Sequence, residues 1–149
     1  MQIDELAYSF KKAIAAVAGR RHRLIVVSHP VGIQQHDLDN MGCAIINLNL
    51  LLSAKLKDMA ETLRDRAATK CIEDILRQYT TEKILLFSRF EILFLPELQI
   101  DPMRLFEAIS KEQTIILLWP GTYDGGVLSY AEPWHREYRE YASLDAVII

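Results

Sequence analysis

The chain has 149 residues, a formal net charge of −3, half of its residues apolar and a quarter charged, which suits one globular domain with its own core. The acidic balance gives no general attraction for nucleic acid or anionic membrane, and no apolar run approaches the ~20 residues a membrane span requires. Met1-Gln2-Ile3-Asp4-Glu5 is not a secretory leader, and Cys43 and Cys71 lack disulfide-framework or metal spacing, so a cytoplasmic chain with reduced thiols is expected.

In chain order, Ile3, Leu6, Ala7, Phe10, Ile14 and Val17 repeat on one face, which predicts an amphipathic helix over residues 2 to 18. Asp4 and Glu5 suit its first turn, and Gly19 falls at its C-terminal cap. Arg20, Arg21 and Arg23, with His22 among them, form a basic connection of the kind expected near a helix C-terminus. Arg23 to Ser28 reads as a strand buried on both faces, stopped by His29-Pro30. Residues 33 to 42 hold a short helix at most, and Cys43 to Leu48 gives a second apolar run. From Ser53 to Tyr79 apolar residues recur at threes and fours; the stretch is too long for one ordinary helix, so a break is expected near Ala67 to Thr69. Lys83 to Phe87 is a third strand. Asp101-Pro102 starts a helix, with an acidic N-cap and proline at the first helical position, and Leu105, Phe106 and Ile109 form its inner face. Thr114 to Trp119 is a fourth strand, and Asp124-Gly125 or Gly125-Gly126 supplies a hairpin turn. A polar, aromatic tail follows from Glu132 to Tyr141, and Ala146 to Ile149 is a last sheet strand.

Strands alternating with helices imply a single three-layer α/β domain over residues 1–149, a parallel sheet with helices on both faces. Such sheets bind ligands beyond the carboxyl ends of their strands, which puts Ser28 to Asp37, Ser88 to Glu91 and Trp119 to Tyr123 on one rim. After its first strand a P-loop enzyme carries G-x-x-x-x-G-K-S/T: backbone N–H groups and the lysine hold phosphates, and the hydroxyl holds magnesium. In residues 24 to 37 Gly32 is the only glycine, and Gln34 and Gln35 stand where lysine and the hydroxyl would be. His29-Pro30-Val31-Gly32 is therefore read as a strand-to-helix turn, with anion binding at a helix N-terminus as the alternative. The third strand ends in Ser88, where such an enzyme has its acidic magnesium residue. No catalytic residue is assigned; Glu91 is the nearest candidate, with Arg89 as an obvious ion-pair partner.

His29, His36, Asp37 and Asp39 have metal-ligand chemistry without the spacing of a structural zinc site, so no metal is expected. No serine or cysteine has a nucleophile's sequence context. Tyr130, Trp134, Tyr138 and Tyr141 are interface candidates, and the acidic chain favours a protein partner over nucleic acid. Arg20, Arg21 and Arg23 are the one cluster through which nucleic acid would be held.

Several stretches form an ordered set: Asn47-Leu48-Asn49-Leu50, Phe90-Glu91-Ile92-Leu93-Phe94, Pro96-Glu97-Leu98, Asp101-Pro102-Met103-Arg104-Leu105, Trp119 with Gly121, Leu128-Ser129-Tyr130-Ala131-Glu132-Pro133, and Glu137-Tyr138-Arg139. The set resembles the BrxF family of small P-loop proteins from the type 3 form of BREX (bacteriophage exclusion) systems. It spans most of the chain and is most specific over residues 90 to 105 and 128 to 139. The resemblance implies a P-loop ATPase-like fold within a multi-gene system that blocks phage DNA replication and, through companion proteins, methylates host DNA. It also puts the Walker A residues on His29 to Gln35 and the Walker B acid on Ser88, and this chain supplies neither. The expectation is a non-catalytic P-loop NTPase-like domain with a C-terminal hairpin and aromatic tail, without a cofactor, that assembles with other BREX-type proteins or with itself as an assembly or regulatory subunit. Two alternatives stay open. One is a nucleotidase that binds ATP and magnesium through a non-standard loop, using Glu91 with Arg89 or His29; the other is a DNA-contacting subunit.

Overall fold

Apolar runs without polar alternation become strands with helices over both faces of the sheet, because a strand covered on both faces has no side that must be polar. In the computed structural model, which describes residues 3–149, these runs are β1 (Leu24–Val27), β2 (Ala44–Asn47), β3 (Ile84–Arg89) and β4 (Thr114–Leu118). Every residue of β1 and β4 is buried. The helices are α1 (Ile3–Val17), α2 (Gln35–Leu38), α3 (Leu48–Leu56), α4 (Glu61–Leu76) and α5 (Pro102–Ile109). Short strands β5 (Thr122–Asp124), β6 (Val127–Tyr130) and β7 (Arg139–Tyr141) precede the last one, β8 (Val147–Ile148). Gln2 and the side chain of Ile3, both in the helix expected over residues 2 to 18, lie outside the described residues.

A five-stranded parallel sheet runs β2-β3-β4-β1-β8. Alternating side chains divide the core between its faces. Ile25, Val27, Leu86, Ile116 and Leu118 pack with Leu6, Phe10, Ala13 and Val17 of α1 and Leu38 of α2. Leu24, Val26, Ile46, Leu85, Phe87, Ile115 and Leu117 face residues of α3, α4 and α5. The result is a mixed α/β fold of three layers.

Several local expectations are met for the reasons given. Asp101 Oδ1 accepts from the N–H groups of Met103 (3.2 Å) and Arg104 (3.5 Å), and Pro102 opens α5. Gly125 and Gly126 (φ 57° and 82°) form the turn between β5 and β6, the two-residue hairpin geometry that needs positive φ twice.

Others are corrected. α4 runs straight through Ala67–Thr69 and buries Ala68; alanines are the strongest helix formers, so nothing there breaks it. The interruption is Lys57–Ala60, and the preceding helix begins at Leu48, directly behind β2, because Asn47 Oδ1 accepts from Leu50 N–H at 3.0 Å and caps it. Gly19 does not take the left-handed conformation of a cap; Arg20 N–H instead closes the end of α1 on the Val17 carbonyl at 2.9 Å. The tail contributes β7, which pairs antiparallel with β6 to complete a second, three-stranded sheet.

Trp119, just beyond β4, joins the two sheets. Its ring is 1 % exposed and lies 6.1, 6.0 and 6.2 Å from those of Phe90, Phe94 and Tyr141. Its indole N–H is shared between the carbonyls of Thr122 (3.2 Å) and Ser129 (3.1 Å). Phe106 of α5 meets Phe87 and Phe90 edge to face, each at 5.0 Å. Such pairs add about 0.5–1.5 kcal/mol each beyond their area. The hairpin closes over this cluster only because residue 121 has no side chain: a Cβ there would lie 1.8 Å from the Ser129 carbonyl oxygen. Gly121→Ala is therefore expected to lower the unfolding free energy by about 3 kcal/mol. Gly19→Ala, in open space with ordinary φ, should change it by under about 1 kcal/mol; urea unfolding of the two variants checks the contrast.

Candidate functional site

The chain leaves β1 towards the face covered by α1 and α2, since Leu38 of α2 packs there. It leaves β4 towards the opposite face, where Leu128, Tyr130 and Tyr141 join the other half of the core. β1 and β4 are neighbours, so a crevice opens between their carboxyl ends, at the point where α/β sheets hold ligands. It has a volume of about 380 Å³ and is lined by Ser28 to Val31 and Ile33, by Ser88, Arg89 and Glu91, and by Leu118 to Gly121. All three expected rim segments meet there.

The loop after β1 is closed on itself. Ser28 is 7 % exposed, and its backbone N–H and Oγ–H both donate to the Ile149 carbonyl at 2.8 Å. The hydroxyl proton is thereby used, so His29 Nδ1, 2.9 Å from Oγ, carries the proton of that contact. His29 donates to Ser28 and does not activate it. Ile33 N–H bonds the Pro30 carbonyl at 3.0 Å around Gly32 at φ 94°, which makes a type II turn. Gln34 N–H bonds Asp37 Oδ2 at 2.9 Å, and the Gln35 side chain reaches Asp39 at 3.3 Å. Pro30 has no N–H to offer. The helix that follows is four residues long and begins beside the Asp37 carboxylate, where an incoming anion would have to compete with it.

The end of β3 is similarly engaged. Ser88 Oγ–H donates to the Ile46 carbonyl at 3.4 Å. Glu91 Oε1 accepts from Phe90 N–H at 3.1 Å while Oε2 pairs with Arg89 at 3.2 Å, the ion pair anticipated from sequence. Glu91 thus holds the start of a one-turn 3₁₀ helix, Glu91–Phe94.

The remaining candidates are scattered. His36 pairs with Asp37 at 3.2 Å, and among the described residues no three His, Cys, Asp or Glu side chains form a metal-binding group. Arg20, Arg21 and Arg23 lie at the amino end of β1, away from the crevice; Arg23 donates to the Lys111 carbonyl at 3.1 Å, and His22 contacts Asp145 at 3.0 Å. Of the aromatic interface candidates, Tyr130 stacks on Phe94 at 3.9 Å and Tyr141 packs on Trp119, so both face inward. Tyr138 donates to Glu140 at 2.6 Å. Trp134 alone is widely exposed, at 83 %.

A groove of about 690 Å³ that the sequence did not disclose lies between α3, the start of α4 and the 3₁₀ turns at Glu91–Phe94 and Pro96–Leu98. No single segment signals it: α3 contributes only Ser53 and Leu56 to its lining. No family model, curated protein or solved structure matches the chain.

Burial, then the Asp101 carboxylate, pushes the Tyr141 hydroxyl up to about 12. Below pH 10 the hydroxyl is protonated in both folded and unfolded chains. From about 10 to 12 the unfolded chain ionises while the folded one keeps its proton, so stability falls as pH rises through that window. The stability advantage of the wild type over Tyr141→Phe is expected to shrink across it in denaturant titrations; a constant difference would contradict the assignment.

Proposed function

We propose that this chain is a non-catalytic P-loop-fold subunit of a BREX-like bacterial antiphage defence system, acting by binding other proteins of that system and not by turning over nucleotide. The observation that supports the non-catalytic reading lies between Ser28 and Gln34, where Ser28, Ile33 and Gln34 spend their donors on the chain itself. A phosphate loop works by aiming such donors outward at one point. The acid that would hold magnesium is a serine bonded to a neighbouring strand, and Glu91 has both oxygens engaged.

The fold reading is supported by strand order. One strand, β4, separates the strand before the loop from the strand that ends in Ser88, as in the ATPase branch of P-loop folds. The defence assignment is supported by the ordered matches from Asn47 to Arg139. Several matched residues build the rim: Asn47 caps α3, Asn49 Oδ1 accepts from Ile92 N–H at 2.8 Å, and Asp101 caps α5. A nucleotidase would need Glu91 free, and a DNA-contacting subunit would have chiefly Arg20 and Arg21 to offer.

Calorimetry with magnesium ATP is expected to find no binding tighter than about 1 mM, and Glu91→Gln should leave any trace of phosphate release unchanged. Micromolar binding, or turnover abolished by Glu91→Gln, would sink the non-catalytic reading. In a bacterium carrying the complete defence system, deleting this chain should restore phage plaquing, while Glu91→Gln should still protect. Unchanged resistance on deletion would remove the defence assignment.

A further inference from the structure

The loop that exposes Trp134 is held in place. His135 N–H bonds the Glu132 carbonyl at 2.8 Å and Tyr138 N–H bonds the His135 carbonyl at 3.0 Å, giving two successive reverse turns. Arg136 then ties the loop to Glu97 at 2.6 Å. A large indole is thus presented to water on a fixed support, and tryptophan is the side chain most characteristic of binding anchors.

The groove behind α3 adjoins this loop, with Arg136 forming part of its wall and Leu56, Ile92, Leu95 and Leu98 its apolar surface. Lys57 and Arg64 also line it, and neither makes an ion pair among the described residues. The Arg64 Nε is buried without a hydrogen-bond partner, an arrangement that costs free energy until an acceptor or an aromatic face meets the guanidinium. The loop carries the complement: an indole and, two residues before it, the exposed Glu132 carboxylate, which is likewise without an ion pair among the described residues. Knob and groove lie side by side on one surface. A surface that complements itself is what a two-fold interface requires.

We propose that two copies of the chain pair about a two-fold axis, each inserting Trp134 into the groove of the other, with Arg64 against the indole and Glu132 facing Lys57. A second copy is favoured over an acidic segment of another protein because both halves of the contact are present on this chain. The pairing names one partner of an assembly subunit, but it stands independently of the nucleotide-site and defence readings.

Sedimentation velocity of the full chain over a micromolar concentration series tests it, with tryptophan emission recorded on the same samples. Trp119 is buried within the fold of the single chain, so a change in emission on association reports Trp134. A monomer–dimer equilibrium is expected, with emission moving to the blue as dimer forms. Trp134→Ala and Arg64→Glu should each weaken association about thirtyfold or more, as a central anchor does. Glu132→Arg should weaken it, and adding Lys57→Glu should restore it. Tyr8→Ala, an exposed aromatic on α1, should have no effect, and unchanged melting curves show that the variants fold. A monomer at all concentrations overturns the proposal, as does a dimer equally tight in Trp134→Ala, or a groove that captures only a different, acidic protein. None of these failures would alter the calorimetric or phage results.

Discussion

The indole N–H of Trp119 is the polar centre of a closed aromatic cluster, and it reaches the carbonyls of Thr122 and Ser129 as the chain turns away from β4. Leaving that donor unpaired would cost about 1–3 kcal/mol, so the hairpin must lie over the cluster; Gly121 makes the approach possible by lacking a side chain. With the hairpin fixed there, the connection after β4 departs on the face of α3 and α5 while that after β1 departs on the other. The crevice between the two strand ends follows from this divergence. The same cluster seats Phe90 and Phe94, and thereby the 3₁₀ turn that holds Glu91 and forms one side of the second groove.

The crevice lies where α/β sheets hold ligands, yet much of its polar lining bonds to the chain itself. Three backbone N–H groups of the loop are consumed locally: that of Ile33 by a type II turn, that of Gln34 by Asp37, and that of Ser28 by the carbonyl of Ile149 as β8 docks beside β1. A helix of one turn adds little field of its own, since the macrodipole comes from aligned peptide units. The flank presents a fixed tryptophan, an apolar groove, and two cations, Lys57 and Arg64, that make no ion pair among the described residues.

Much of this was legible in the sequence where the signal is local. Asp101-Pro102 carries its own cap, Gly125-Gly126 its own turn, and the β-branched and leucine runs declare strands covered on both faces. The rim was legible too, because topology alone sends Ser28, Ser88 and Trp119 to the same end of the sheet. The break at Lys57–Ala60 was not, since apolar spacing continues across it and only the cap at Asn47 fixes where α3 begins. Tyr130 and Tyr141 looked like surface aromatics in a polar tail; β7 pairing turns them inward, and a three-residue strand has too little pattern to be recognised. The groove was invisible for a deeper reason: it is made by α3, α4, the 3₁₀ turns and Arg136 together, and no segment encodes it.

The backbone amides of the loop can be read one by one in a proton–nitrogen NMR titration of the folded chain with magnesium ATP. Because Ile33 and Gln34 are bonded within the loop, the resonances of Val31 to Gln35 are predicted to hold their positions up to millimolar nucleotide. Saturable shifts centred on Gly32 and Gln34 would contradict the central claim, since they would mean that the loop opens to receive phosphate.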